Sequence, residues 1–129
     1  MSSRYLLDTN AAIAYLNGEA EVEKLIREAE AVFVPIIVLG ELFFGAQKSS
    51  RVERNLAQIE NFMQGRSILL CDVETARLYG RIAESLKKKG NPIQSNDMWI
   101  AAIAQQYHLT LLTRDTDFKR VAGLPVQSW

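Results

Sequence analysis

Leu6-Leu7-Asp8-Thr9-Asn10, continued by Ala11-Ala12-Ile13-Ala14-Tyr15-Leu16, decides how the rest of the chain is read. A short apolar run ends in Asp8, the only charged side chain between Arg4 and Glu19. Thr9 and Asn10 are turn and helix-start residues, and the alanine-rich segment behind them follows a helical pattern. A carboxylate at the C-terminal tip of a first strand, just ahead of a helix, stands where open α/β sheets place their ligands. The plainer reading makes Asp8 or Thr9 a helix N-cap worth about 1 kcal/mol. The other acidic residues bear on which reading applies.

Outward from that stretch, strands and helices alternate. Gly18 breaks the first helix, and Glu19 to Glu30 carries Val22, Leu25, Ile26 and Ala29 at helical spacing. Val32-Phe33-Val34 reads as a second strand ended by Pro35, with an apolar helix from Ile36 to about Gly45. A further helix has Val52, Leu56, Ile59 and Met63 on one stripe. Ile68-Leu69-Leu70-Cys71 reads as a third strand, with Asp72 capping a long helix from Val73 to Lys89. Ser95 or Asn96 opens a helix that is apolar nearly all round through Ala104 and is therefore expected to be buried. Leu109 to Leu112 is a fourth strand, Asp117 to Val121 a helical turn, and Val126 to Trp129 a last strand. This alternation predicts one α/β domain over residues 1–129, in three α/β/α layers around a central parallel sheet of four or five short strands.

Composition narrows the class. Hydrophobic residues make up 48% and charged ones 23% of 129, which excludes a disordered chain. Cys71 is the lone cysteine, so there is neither an internal disulfide nor a thiolate cluster for zinc, which fits a reducing cytosol. The segment ahead of Asp8 is too short for a signal peptide, and Pro35 interrupts the longest apolar run, so no membrane is expected and the location is read as cytoplasmic. Net charge is zero, from 15 basic and 15 acidic side chains. Setting five carboxylates aside in one site leaves ten acidic against fifteen basic groups, a mildly basic surface around an acidic centre.

Two further carboxylates are as isolated as Asp8. Glu41 is the only charge between Glu30 and Lys48, and its helical neighbours Ile37, Val38, Phe44 and Gly45 offer no cation. Asp97 is the only formal charge between Lys89 and Arg114, in the first turn of the most apolar helix. Lone carboxylates in apolar surroundings are usually paired, protonated or bound to metal. Asp97 also has a reading as a helix-dipole partner worth roughly 0.3–1 kcal/mol. Thr113-Arg114-Asp115-Thr116-Asp117 follows the fourth strand, and in a parallel sheet Asp115 lies on the same edge as Asp8. Whether Asp97 points at that edge depends on the tilt of its helix. Four or five carboxylates without histidine or cysteine select hard divalent cations, Mg²⁺ or Mn²⁺, and suit phosphoryl chemistry. His108, the only histidine, reads as a surface residue, and no glycine-rich phosphate loop is present.

Leu6 to Asn10, Glu41-Leu42-Phe43-Phe44-Gly45, Asn96 to Ala102 and Leu112 to Phe118 together resemble the four acidic motifs of PIN-domain ribonucleases. The subgroup they resemble is the VapC-type toxins of prokaryotic toxin–antitoxin pairs, and Val121 to Val126 with Trp129 is similar to that group as well. The resemblance implies a metal-dependent endoribonuclease with Asp8, Glu41, Asp97 and Asp115 as the acidic site. It further implies Asp117 as an auxiliary carboxylate and Asn10 and Thr113 as supporting residues. An RNA substrate, a cognate antitoxin whose tail occupies the acidic groove, and a homodimer follow from it too. Arg114, Lys87, Lys88, Lys89 and Lys119 are candidates to neutralise RNA phosphates, against a plainer reading of the lysine run as a solvated helix end. Among the alternatives, a phosphoacceptor receiver domain would need an acidic pair near the first strand and a late lysine. A haloacid-dehalogenase-like phosphatase would need an aspartate where Asn10 stands. A non-catalytic binding module is the rival from another class.

Overall fold

The computed structural model describes residues 3–129. Arg4–Leu7 forms β1, Thr9–Leu16 α1, Ala20–Glu28 α2, Ala31–Pro35 β2, Ile36–Gln47 α3 and Val52–Met63 α4. Ser67–Leu69 forms β3, Val73–Lys88 α5, Ser95–Gln106 α6, Thr110–Leu112 β4, Thr116–Arg120 a 3-10 helix and Val126–Gln127 β5. The five strands pair in the order β3-β2-β1-β4-β5, all parallel. The chain therefore winds one way from β1 through β2 to β3 and returns on the other side of β1 as β4. The crevice beyond the carboxyl ends of β1 and β4 is the topological switch point, where such sheets bind ligands.

Burial follows the apolar pattern. Leu6, Leu7, Leu111 and Leu112, in register as Leu6↔Leu111 and Leu7↔Leu112, are fully buried at the sheet centre. Ile100 to Ala104 on α6 are fully buried as well, as the uninterrupted apolar sequence predicts. Their small alanines allow close approach to the elements around them. α5 covers α6, with Tyr79 stacked on Trp99 at 4.2 Å between ring centroids. Asp72 caps α5 through a reciprocal pair of bonds with Thr75, and Gln106 of α6 donates to the same carboxylate at 2.9 Å. Gly90, at φ 68°, ends α5 in a Schellman turn with Asn91 N–H on the Leu86 carbonyl, which sends the chain back toward α6.

Most boundaries agree to within one or two residues, and the structure departs from the sequence reading most clearly at β3, at the last strand and along α4. β3 is Ser67–Leu69, not Ile68 to Cys71; Leu70 is 62% exposed and Cys71 is exposed. An edge strand paired only with β2 buries little, so two apolar residues past its end stay in solvent. The last strand stops at Gln127, because β4 ends at Leu112 and offers no ladder for Ser128 and Trp129. On α4 the buried residues are Ile59 and Phe62, with Leu56 and Met63 only partly covered. Among the described residues no helix is long and apolar enough to cross a membrane.

Candidate metal centre

Asp8 leaves β1 and caps α1. Its Oδ1 accepts from the Ala11 backbone N–H at 2.8 Å, and its Oδ2 accepts from the Thr113 hydroxyl. The capping role and the switch-point position thus belong to the same carboxylate, which is 3% exposed. Thr113, the residue after β4, is also buried. Its hydroxyl accepts from the Asp115 N–H at 2.9 Å while donating to Asp8, so one side chain joins the ends of β1 and β4. Asp115 then caps the 3-10 helix by accepting from the Asp117 N–H at 2.9 Å.

Glu41, the sixth residue of α3, and Asp97, in the first turn of α6, face the same region and are half-buried. Burial, followed by the charges of Asp115, Glu41, Asp8 and Asp117, pushes the Asp97 carboxyl up to about 6. The start of α6 therefore does point at the carboxyl edge of the sheet. Burial also raises Asp8. The bonds from Thr113 and Ala11 oppose that rise, and the charges of Asp115 and Glu41 add to it. Among the described residues no lysine, arginine or histidine forms an ion pair with Asp8, Glu41, Asp97 or Asp115. Asp117 differs, since Arg120 lies 3.3 Å from its Oδ1.

These groups repel one another, yet among the described residues no three stand at metal-ligand spacing. The two observations describe one arrangement at different ranges: Coulomb repulsion reaches well beyond ligand distance, and like charges keep their separation. The donor set still fits a hard divalent cation. It is all oxygen, it carries uncompensated negative charge, and each Asp8 oxygen has one protein donor and a lone-pair direction to spare. Beside Asp8, the Thr9 hydroxyl oxygen is buried without a hydrogen-bond partner, a polar atom that the protein alone does not satisfy.

The remaining sequence candidates are dispersed. Asn10 is exposed beside Asp8 and makes no side-chain hydrogen bond among the described residues. The structure engages Arg114 elsewhere: its guanidinium lies 2.8 Å from Glu19 and 4.6 Å over the Trp129 ring. Lys87, Lys88 and Lys89 form the exposed end of α5, with Lys88 paired to Glu84 at 3.6 Å. Lys119 is exposed on the 3-10 helix, and His108 is exposed after α6. Sequence reasoning missed Arg120 and the orphaned Thr9 hydroxyl. The i,i+3 spacing of Asp117 and Arg120 inside a helical turn was the available signal for the first; nothing local marked the second.

The family model for the PIN domain matches residues 5–124. The chain is 37% identical over 130 residues to ribonuclease VapC2 of Haemophilus influenzae, covering 98% of both proteins. Its fold superposes on the DNA-bound VapBC structure from Salmonella typhimurium with a TM-score of 0.90, at 32% identity, covering 100% of this chain and 99% of that one. It also superposes on VapBC-5 of Mycobacterium tuberculosis, a member of the VapBC family of toxin–antitoxin systems. There the TM-score is 0.78 at 29% identity, with 98% and 97% of the two chains covered. With the acidic motifs on one sheet edge and the match running nearly end to end, the chain belongs to the PIN-domain family, in its VapC group.

Proposed function

We propose that the chain is a Mg²⁺- or Mn²⁺-dependent endoribonuclease and the toxin of a toxin–antitoxin pair. The observation that carries the reading is the mutual charge repulsion of Asp8, Glu41, Asp97 and Asp115, from separate parts of the chain, with no lysine, arginine or histidine paired to them among the described residues. Their nearness has no structural benefit, because it costs desolvation and repulsion that neutral residues would avoid. A divalent cation held by these carboxylates would supply Lewis-acid polarisation of the scissile phosphodiester and a lowered pKa for the attacking water.

The chain's own residues divide the remaining work. Asp8, held by two donors, is the fixed point of the site. Glu41 and Asp97 are less buried and present their carboxylates from the helices α3 and α6. Asp115 is oriented through its backbone bond to Thr113, which makes Thr113 a positioning residue. Asn10, exposed beside Asp8, is the second supporting residue of this reading. Lys119, and the lysines at the end of α5, supply phosphate contacts at longer range.

The ribonuclease name of the Haemophilus relative supports RNA as substrate, and the toxin–antitoxin assignment of the mycobacterial neighbour supports an antitoxin partner. An antitoxin tail over the acidic centre, a homodimeric toxin and a cytoplasmic location complete the proposal. Incubation of purified protein with RNA tests it. Cleavage is expected with Mg²⁺ or Mn²⁺ and should stop in excess chelator or with Asp8→Asn. Cleavage that persists under both conditions would refute the metal-dependent mechanism.

A further inference from the structure

Of the cationic side chains near the acidic centre, Arg120 is held by two elements at once. One end of its guanidinium lies 3.3 Å from Asp117 Oδ1. The other donates to the Pro92 carbonyl at 3.2 Å, across 28 residues of sequence. Asp117 faces Asp97 electrostatically and donates its backbone N–H to Asp115. Pro92 lies in the connection between α5 and α6, three residues ahead of the helix whose first turn carries Asp97. Arg120 therefore spans the turn that bears Asp115 and Asp117 and the segment that delivers Asp97.

We propose that Arg120 is a positioning residue for the acidic centre, and that Asp117 serves as its counter-charge and not as a further cation ligand. This rests on the reading of the centre as a divalent-cation site, and it assigns Asp117 a different part from the auxiliary ligand that the family resemblance implies. An exposed ion pair at i,i+3 spacing adds little to stability. A planar guanidinium that binds a carboxylate and a distant carbonyl together sets the relative placement of two segments, which a lysine ammonium does not reproduce. By neutralising Asp117, Arg120 also limits the negative charge that a cation meets.

The two effects separate by substitution. Arg120→Gln leaves the Asp117 charge uncompensated beside the cation site, so Mn²⁺ should bind about fivefold more tightly, the size expected of one added charge at several ångströms across partly screened solvent. Arg120→Lys keeps the charge but loses the fork, so Mn²⁺ affinity should stay near that of the parent. In both variants kcat for RNA cleavage should fall with KM little changed. The two segments that carry Asp97 and Asp115 are then aligned less accurately on the scissile phosphate, while Asp8, held by its own two donors, still anchors the cation. Adding Asp117→Asn to Arg120→Gln should return Mn²⁺ affinity toward the parent value.

Electron paramagnetic resonance of free Mn²⁺, titrated into each purified protein without RNA, reads the affinities, and thermal melts establish that each variant is folded. Parent-like or weaker Mn²⁺ binding by Arg120→Gln would overturn the proposal, as would a double variant that still binds tightly. A parent protein that takes up no Mn²⁺ would instead overturn the cation-site reading on which it rests.

Discussion

Asp97→Asn separates a metal-site carboxylate from a mere helix-terminal charge, through stability and activity together. In the folded chain the Asp97 carboxyl is pushed up from an ordinary value of 3.8 to about 6, first by burial and then by four neighbouring carboxylates. Between these values the folded state binds more protons than the unfolded one, so stability falls as pH rises from about 4 to about 6. Above that window the penalty is fully present, and below it the penalty is gone. A rise from 3.8 to about 6 corresponds to about 3 kcal/mol before screening. Because the side chain is only half-buried, solvent reduces this to about 1–2 kcal/mol. Asparagine keeps the shape and removes the charge, so the metal-free variant should melt roughly 3–8 °C higher than the parent at pH 8. The two should melt nearly together at pH 4. Added Mn²⁺ should stabilise the parent more than the variant, and RNA cleavage should fall by orders of magnitude. Calorimetric melts at the two pH values, with a cleavage assay, read all of this. A variant that melts lower at pH 8 and cleaves normally would refute the reasoning, since a helix-dipole partner lost from α6 gives that result.

Thr113→Val removes the hydroxyl that donates to Asp8 and accepts from the Asp115 N–H, both in buried surroundings. It should cost about 1–3 kcal/mol in urea unfolding and most of the activity, whereas Thr113→Ser should retain both. Asp72→Ala opens the capping box at the start of α5, away from the carboxylates. The Thr75 N–H, and then Gln106, hold the Asp72 carboxyl below its ordinary value, so its contribution is present at neutral pH and lost in acid. The variant should melt below the parent at pH 7, converge with it in acid, and cleave RNA at the parent rate per folded molecule.

The parallel sheet and the identity of the isolated carboxylates were legible because both rest on local contrast. Asp8, Glu41 and Asp97 stand out as single charges in apolar runs, and Asp115 lies just past the apolar run that reads as the fourth strand. The direction of α6 was not legible, since helix tilt depends on packing against the sheet and α5. The apolar Leu70 and Cys71 read as strand because hydrophobicity does not tell an edge from a centre. Arg114 read as a free cation because its partner Glu19 is 95 residues away in sequence. Arg120 passed unnoticed for the same reason, its second contact being the Pro92 carbonyl. Thr113 entered only through the family resemblance, because the two-way use of its hydroxyl depends on the β1–β4 register.

Whether these carboxylates bind the ion that cleavage requires is tested most directly by anomalous diffraction from crystals of the chain equilibrated with Mn²⁺. The expected result is one or two anomalous peaks at the carboxyl edge of β1 and β4, with oxygens of Asp8 and Asp97 about 2 Å away and Glu41 and Asp115 closing around them. The Asp117 carboxylate should remain on Arg120. Peaks found only at exposed acidic positions elsewhere, with Asp8, Glu41, Asp97 and Asp115 left without metal at saturating Mn²⁺, would contradict the assignment of these four residues.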